Sequence, residues 1–433
     1  RYGRAIGGLV DLRTKRSLPD RTNGYVSVDV FQATAYAEQR IGDRDSLTVS
    51  GRRSYADAVL NPLLNSGSVT VQAPRYYDAQ LRWSRELENG WNDVMFLLSD
   101  DRFRFLGQGD DNVVLLGFVT QFQKLRWLHT RDFGDGLSLE ASTVVGPEKQ
   151  FFESEKTSEA FEKDVRVATR LEFKKTAAED ESIGWVIGTD PNLTRSSYLY
   201  DIGTPPERTV SSERSAPKEE GSSDIWSPSL YGELNVRLGD VTVVPGLRAD
   251  AQILEDIVIT SVDPRLRLRW LAGTNTALKA GAGRHSQAPT ERQLLPSSLG
   301  NPKLNEERAY QFSGGFEQQI VSGLRLDVTG FYHQLDDLVS GRENQFAFYS
   351  GPPPVGPYDT DPYANDGVGR TFGVETLINL DFNNTNGFIS TTWSRSDRIK
   401  RPNAERTLFP YDQPWVINAL ASQKLPKRCQ RMK

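Results

Sequence analysis

Residues 165–173 read Val165-Arg166-Val167-Ala168-Thr169-Arg170-Leu171-Glu172-Phe173, with apolar and charged side chains in alternation. Successive side chains of a β-strand point to opposite faces of the sheet. One face of this strand therefore carries Val165, Val167, Leu171 and Phe173, and the other carries Arg166, Arg170 and Glu172. A face with that many charges must contact water, which excludes a sheet covered by helices on both sides.

The same alternation recurs along the chain. It predicts strands over 265–271, 324–329 and 371–382, in which apolar residues alternate with Arg, Asp, Glu, Asn and Thr. Strand-like segments of about ten residues follow one another and are separated by turn residues, a pattern typical of outer-membrane barrels. We therefore predict an all-β fold, an antiparallel transmembrane β-barrel whose ionic face lines a watery interior.

Composition excludes several other classes of protein. The 433 residues contain a single cysteine, Cys429, so a disulfide framework is excluded. The net charge is only −5 and charges of both signs are interspersed, so we predict no nucleic-acid partner. No apolar run approaches the roughly 20 residues of a membrane helix. The mean hydropathy of −0.52 is compatible with a membrane barrel, because only alternate strand residues meet lipid.

The connectors between predicted strands are of two kinds. Short ones such as Gly239-Asp240 suit tight hairpins. Long ones, rich in Pro, Gly, Ser and Asp, are predicted at 107–116, 193–224, 286–307 and 339–370. Short and long connectors roughly alternate, as in barrels with short periplasmic turns and long extracellular loops.

Five motifs occur in order along the chain. The first is Arg1-Tyr2-Gly3-Arg4-Ala5-Ile6-Gly7-Gly8-Leu9-Val10-Asp11-Leu12-Arg13-Thr14-Lys15. The second is Val49-Ser50-Gly51-Arg52-Arg53-Ser54-Tyr55. The third has three parts: Gly300-Asn301-Pro302-Lys303-Leu304-Asn305-Glu306-Glu307, Gly314-Gly315-Phe316-Glu317 and Gly330-Phe331-Tyr332. The fourth is Gly369-Arg370-Thr371-Phe372-Gly373-Val374-Glu375, and the fifth is Tyr411-Asp412-Gln413-Pro414-Trp415. Together they resemble the barrel of TonB-dependent outer-membrane receptors, over nearly the whole chain up to about residue 425.

The resemblance implies a domain organisation. Residues 1–15 resemble the end of the plug domain, including its last strand over residues 6–13, and the junction to the barrel. Residues 16–425 correspond to the barrel, and the basic residues 426–433 resemble no barrel strand. We expect the remainder of the plug to be missing and the C-terminal strands to be truncated, with a frameshift as one explanation. The family's barrels have about 22 strands, so we expect fewer here and an incompletely closed wall.

The resemblance also implies a function. Such receptors lie in the bacterial outer membrane, in contact with its lipid, and take up a scarce nutrient such as a siderophore, a carbohydrate or cobalamin. The TonB complex acts on them through the plug, so its partnership here depends on the missing plug. The long loops are expected to select the small-molecule ligand. Aromatic residues there are candidates for stacking on it: Tyr198, Tyr200, Phe346, Phe348, Tyr349, Tyr358 and Tyr363.

A second set of candidates faces the interior. Ionic residues on the wet face would line the lumen or contact the plug through charge-assisted hydrogen bonds. These are Arg52, Arg166, Arg170, Arg267, Glu375 and Asp381. A one-residue slip of register would place them in lipid, where an Arg costs about 2–4 kcal/mol at the midplane.

The sequence predicts neither an enzyme nor a cofactor. His129, His285 and His333 are the only histidines and are far apart in sequence, so we predict no metal site. No nucleophile elbow of the G-x-S-x-G kind occurs, and we propose no catalytic residue.

Two other functions compete with the receptor. A passive porin would share the wall but would have no plug, and residues 1–15 argue against it. A soluble all-β carbohydrate-binding module, such as a propeller, would repeat a motif every 40–50 residues, and no such repeat is found.

Overall fold

The computed structural model describes residues 1–55, 69–107, 114–154, 158–202, 218–295, 300–341, 363–382 and 384–424. Within these residues, 21 β-strands form one antiparallel sheet, which confirms the predicted fold class. The strands are β1 (Asn23–Val28), β2 (Gln32–Ile41), β3 (Asp45–Ser54), β4 (Val69–Leu87), β5 (Gly90–Gly107), β6 (Val114–Gly134), β7 (Leu137–Ser154), β8 (Ser158–Lys175), β9 (Ile183–Thr189), β10 (Asn192–Ile202), β11 (Lys218–Ser227), β12 (Ser229–Leu238), β13 (Val241–Leu254), β14 (Ile257–Leu271), β15 (Thr276–Gln287), β16 (Glu307–Val321), β17 (Leu324–Gly341), β18 (Tyr363–Phe382), β19 (Thr385–Ile399), β20 (Thr407–Leu408) and β21 (Trp415–Gln423). One short helix, α1 (Glu291–Leu294), precedes β16.

Three of the strands share a position in the sheet with the strand before them in sequence. Both β9 and β10 pair with β8, and both β11 and β12 pair with β13. The breaks fall at Pro191 and Pro228, because proline has no N–H to donate to the ladder. Likewise β20 and β21 both pair with β19. The sheet therefore has 18 strand positions, and within the described residues no pairing joins its edge strands β1 and β21.

The sheet is strongly curved. Strands β10 and β18 are seven positions apart, which would be about 34 Å in a flat sheet at ~4.8 Å per strand. Yet Arg292 lies 5.8 Å from the ring centre of Tyr200 on β10, and its Nη2 lies 3.3 Å from the hydroxyl of Tyr363 on β18. One side chain reaches both only if the sheet bends around it. Arg292 therefore marks the concave, interior side.

The long connections leave the wall at one end. Turns at 88–89, 239–240 and 322–323 join strands at one end, whereas the connections after β5, β10, β15 and β17 leave from the other. The turn at Gly323 requires glycine, because its φ is +86° and a Cβ would lie 2.4 Å from the carbonyl oxygen of Asp381. We call the end with the long connections the mouth.

The two faces differ as the alternation predicts. On the outer face, Val165 and Val374 expose 43% and 41% of their surface. On the inner face, Glu172 is buried, although it is an acid. The wall therefore presents hydrocarbon side chains outward and ionic side chains inward, the arrangement of a lipid-spanning barrel.

Two details differ from the sequence predictions. Residues 6–13 were expected to be a strand, but none of residues 1–22 belongs to one. The backbone of Ile6 instead bonds to side chains of the wall: its N–H donates to Gln287 and its carbonyl accepts from Gln311. The long loops are also shorter than predicted. Most of 193–224 lies in β10 and β11, and 363–370 lies in β18, because strands that extend beyond lipid become polar and resemble loops.

Candidate functional site

The connection between β15 and β16 is described over residues 288–295 and 300–306, and these residues fold into the mouth. It carries α1, which begins after Thr290, whose backbone N–H donates to Gln293 at 2.8 Å. Leu294 is fully buried and, with Leu304, packs against Leu254 and Tyr363 of the wall. Leu295 packs against Tyr200. Burying such leucines stabilises the inward position by about 1.5–3 kcal/mol each. We call the described residues 288–295 and 300–306 the inward loop.

Five residues lie together at the inward loop, and we call this group the mouth recess: Tyr198, Tyr200, Glu291, Arg292 and Tyr363. The rings of Tyr198 and Tyr200 stack, with centres 5.5 Å apart and planes at 23°. Tyr200 is only 5% exposed. Its hydroxyl donates to Glu162. Arg292 is exposed and contacts both Tyr200 and Tyr363.

Glu291 supplies the acidic group of the mouth recess. Its carboxylate accepts a hydrogen bond from the hydroxyl of Ser223 on β11. Burial raises the pKa of Glu291 above its usual 4.5, and the carboxylates of Asp164 and Glu162 add to the rise. The recess therefore combines two stacked rings, a solvated guanidinium and a carboxyl group that resists ionisation. Tyr198 is partly exposed and can stack on a flat organic ligand, with the buried ring of Tyr200 supporting it, and Arg292 can hydrogen-bond to the ligand's oxygen atoms.

Deeper in the lumen, residues 1–16 contact the inner wall. Arg1 pairs with Glu172 at 2.6 Å, and Arg4 pairs with Asp190 at 3.0 Å and with Asp250 at 2.9 Å. The guanidinium of Arg248 donates to the carbonyl oxygen of Arg1 at 2.9 Å. Farther along, Arg16 pairs with Glu140 and Thr14 accepts from Arg126. The N-terminal segment thus crosses the interior from β8–β13 towards β6 and β7.

Its contacts centre on one ionic group, which we call the anchor cluster: Arg170, Glu172, Asp190, Arg248 and Asp250. Arg248 is 2% exposed and donates to Asp190 and Asp250, each at 2.6 Å. Arg170 bridges Glu172 at 2.9 Å and Asp190 at 3.3 Å. Each buried charge has a partner of opposite sign, as burial requires.

The structure separates the predicted lumen residues. Arg170 alone among them contacts the N-terminal segment, with its guanidinium 4.6 Å from the ring centre of Tyr2. Arg267 pairs with Glu233 at 2.9 Å, Arg52 with Asp78 at 2.7 Å, and Arg166 donates to Thr194 at 3.3 Å. Glu375 and Asp381 lie on the inner face of β18, by the pairing of Glu375 with Thr329. Their proposed contact with the plug stays a prediction.

The structure brings three of the seven predicted ligand residues together. Tyr198, Tyr200 and Tyr363 meet at the mouth recess, although they lie on strands β10 and β18 and not on loops. The other four, Phe346, Phe348, Tyr349 and Tyr358, lie outside the described residues. Sequence reasoning missed Arg292 and Arg248, because nothing nearby in the chain indicates their distant partners. The capping pattern Thr290-x-x-Gln293 was the available signal for α1.

Among the described residues, no helix is long and apolar enough to cross a membrane. The curved antiparallel wall, apolar outside and ionic inside, defines a membrane β-barrel. The family described as "TonB dependent receptor-like, beta-barrel" matches residues 3–423, and the chain belongs to it. Membership places the chain in the bacterial outer membrane, among receptors and not enzymes, as predicted.

Solved structures share this fold. The ferric yersiniabactin uptake receptor FyuA from Yersinia pestis has a TM-score of 0.68 at 12% identity, over 95% of this chain and 67% of FyuA. The unliganded ferric citrate transporter FecA has a TM-score of 0.67 at 11% identity, over 94% and 64%. The FrpB iron transporter from Neisseria meningitidis has a TM-score of 0.61 at 12% identity, over 88% and 62%. The chain thus spans roughly two thirds of their length.

Proposed function

We propose that this chain is the wall of a TonB-dependent uptake receptor and that its ligand is an iron chelate of the siderophore type. The mouth recess carries the proposal. It combines stacked tyrosines with the exposed guanidinium of Arg292, and it lies directly above a lumen that the N-terminal segment crosses. Chelates present flat organic donors around the metal, and aromatic faces with a guanidinium match such a surface.

The lumen supports active uptake over passive diffusion. The N-terminal segment is held by paired charges at the anchor cluster, so an open path requires those pairs to separate. The three ion pairs and the hydrogen bond from Arg248 have to separate together, and each partly buried pair adds about 1 kcal/mol to the cost. Thermal motion seldom supplies that, whereas a pulling protein coupled to the inner-membrane proton gradient can. We propose that the TonB complex does so through the plug that precedes these residues.

The names of the solved relatives agree with this ligand class, since FyuA and FecA are named for ferric yersiniabactin and ferric citrate. A carbohydrate or cobalamin ligand would use the same wall. The mouth recess favours the chelate, because Arg292 offers a cation to anionic or oxygen-rich chelates.

The test is uptake of radiolabelled iron by the full-length protein in cells that lack their own siderophore receptors. A panel of ferric chelates, a labelled oligosaccharide and cobalamin would be offered, with and without TonB and with a protonophore. We expect uptake of one ferric chelate that requires both TonB and the proton gradient. Uptake that persists without TonB, or a steady open conductance in planar bilayers, would instead assign the protein to the porins.

A further inference from the structure

Three arginines occupy successive inward positions on β14. The guanidinium of Arg265 donates a hydrogen bond to the carbonyl oxygen of Tyr2, so its side chain faces the lumen. Arg267 and Arg269 are two and four residues further on and therefore share that face. Consecutive members are about 6.6 Å apart, at ~3.3 Å per residue. We call Arg265, Arg267 and Arg269 the arginine ladder. It runs along β14 away from the mouth, because β14 is antiparallel to β15, whose last residue adjoins the inward loop.

A cavity of about 700 Å³ adjoins the lower part of the arginine ladder. Six cationic side chains line it: Lys174, Lys175, Arg237, Arg267, Arg269 and Lys279. Glu233 is the one acidic side chain among the described residues that line it. A concave surface with one predominant sign of charge concentrates ions of the opposite sign. The cavity is therefore suited to an anionic ligand.

Ion pairs with the wall leave part of this positive charge uncompensated. Arg269 shares the carboxylate of Glu317 with Arg325 on β17, at 2.9 and 3.0 Å, so one acid serves two guanidinium groups. Lys174 and Arg237 form no ion pair with any residue that the structure describes. The other three lining cations each pair with one carboxylate. This part of the inner face thus carries an excess of cations.

The exposure of the arginine ladder differs from that of the anchor cluster. The side chains of Arg267 and Arg269 are 63% and 48% exposed, whereas that of Arg248 is 2% exposed. Exposed ion pairs are weak, so an incoming anion can replace a wall carboxylate at little cost. Several weak sites in a row bind a ligand and still release it, as in ion conduction. The ladder therefore suits a ligand in transit, whereas the anchor cluster holds the N-terminal segment.

The N-terminal segment covers the upper end of the ladder. The side chain of Arg265 is 15% exposed, and its Nε and Nη2 atoms are buried without a hydrogen-bond partner among the described residues. Asp263 lies 3.8 Å from Nη2, too far for a hydrogen bond. Arg265 lines a second cavity of about 530 Å³ together with Tyr2, and Arg267 lines both cavities. Displacement of the segment removes Tyr2 and uncovers a guanidinium that lacks acceptors in the wall. Such a group binds the oxygen atoms of an anion through paired hydrogen bonds.

From these observations we propose that the arginine ladder is a second binding site for the transported chelate, below the mouth recess. It takes the carboxylate or phenolate oxygens of a chelate with net negative charge. The inference rests on the proposed function and adds the charge of the ligand. Tyr2 covers Arg265 while the N-terminal segment is in place. Once the segment is displaced, three guanidinium groups in line offer the anion successive positions from the upper cavity to the lower one.

The test compares the uptake of two ferric chelates on one tripodal scaffold, a trianionic tris-catecholate and a neutral tris-hydroxamate, by cells that carry the full-length protein. We expect the wild type to take up the trianionic chelate faster. Arg267→Gln/Arg269→Gln should lower its maximal rate about tenfold, keep its Kd within about twofold, and leave the neutral chelate unaffected. The control is Arg40→Gln/Lys124→Gln on β2 and β6, far from β14 in the sheet, with the same loss of charge. It should leave both rates unchanged.

Arg267→Lys/Arg269→Lys keeps both charges and should keep the preference for the trianionic chelate. Heat-dependent mobility on gels reports whether each variant is folded. Arg269→Gln alone, which leaves Glu317 paired with Arg325, should lower the rate about threefold and makes the test if the double variant does not fold.

Equal loss of uptake of both chelates, or entry of a large antibiotic that the wild type excludes, would show that the ladder holds the plug and would overturn the inference. An unchanged rate for the trianionic chelate in the glutamine variant would overturn it too. Equal wild-type rates for the two chelates would overturn the inference and leave the proposed function intact. A wild-type protein that takes up neither these chelates nor any of the panel above contradicts the proposed function itself.

Discussion

The guanidinium of Arg248 lies between the carboxylates of Asp190 and Asp250 and also holds the carbonyl oxygen of Arg1, with hydrogen bonds of 2.6 to 2.9 Å. This one side chain therefore joins β13 and the break between β9 and β10 to the N-terminal segment. Because Arg248 is buried, the loss of any one of its partners leaves a buried polar group incompletely paired, which destabilises the fold.

Replacing Arg248 by Met should destabilise the barrel by about 3–5 kcal/mol, because Asp190 and Asp250 lose their most buried cation and keep only Arg4 and Arg170 as cationic partners. The midpoint of urea unfolding, followed by tryptophan fluorescence in detergent, measures the loss. Arg267→Met is the control. Arg267 pairs with Glu233 but its side chain is 63% exposed, so we expect a loss below about 1 kcal/mol. Equal losses would contradict the assignment of the anchor cluster.

The position of the inward loop should depend on pH through Glu291. Burial raises its pKa in the docked loop above the value of the free loop. Docking therefore gains its full stability below the ordinary pKa of 4.5 and loses part of it as pH rises through the raised pKa. Hydrogen exchange of residues 288–295 between pH 4 and pH 8 should show more opening at the higher pH.

Glu291→Gln should remove that pH dependence and keep the loop docked. Glu306→Gln is the control in the same loop, because Glu306 forms a separate ion pair with Arg284 at 2.9 Å. Its replacement should leave the pH dependence intact. An unchanged pH profile in Glu291→Gln would show that another group is responsible.

A methyl group at position 221 should disturb ligand binding more than stability. A Cβ on Gly221 would lie 2.6 Å from the hydroxyl oxygen of Tyr198, so the ring must move away from its stack with Tyr200. We expect Gly221→Ala to weaken chelate binding about tenfold, the equivalent of ~1.4 kcal/mol, with little change in unfolding. Gly314→Ala, where a Cβ meets nothing within 4 Å, should bind normally. Equal binding by both variants would remove Tyr198 from the site.

A lysine should lower the free energy of unfolding more at position 167 of β8 than at the neighbouring position 168. Val167 faces lipid, so Val167→Lys should destabilise the barrel by about 2–4 kcal/mol. Ala168 lies on the inner face next to Asn192, and Ala168→Lys should cost clearly less because its ammonium group reaches water. Guanidinium unfolding of both variants in lipid vesicles measures the difference. A larger cost at position 168 would reverse the assignment of the faces.

The wall could be predicted from sequence because each strand carries its own evidence. The alternation around Val165 determines the orientation of β8 without reference to any other strand. The mouth was harder to predict. Tyr198 and Gly221 are in strands that extend above the lipid, where water on both faces removes the alternation, so they resembled a loop. The anchor cluster depends on pairs such as Arg4 with Asp250, which are distant in the chain and meet only after the sheet curves.

Gln287 ends β15, and the inward loop begins at the next residue. The side chain of Gln287 accepts the N–H of Ile6 at 3.4 Å, and Ile6 also packs on Ala309, just after the loop returns to the wall. The strand residues on both sides of the inward loop thus contact the same residue of the N-terminal segment, Ile6. Gln287 and Ala309 belong to β15 and β16, so a movement of the inward loop that shifts either strand end is expected to act on the N-terminal segment at Ile6.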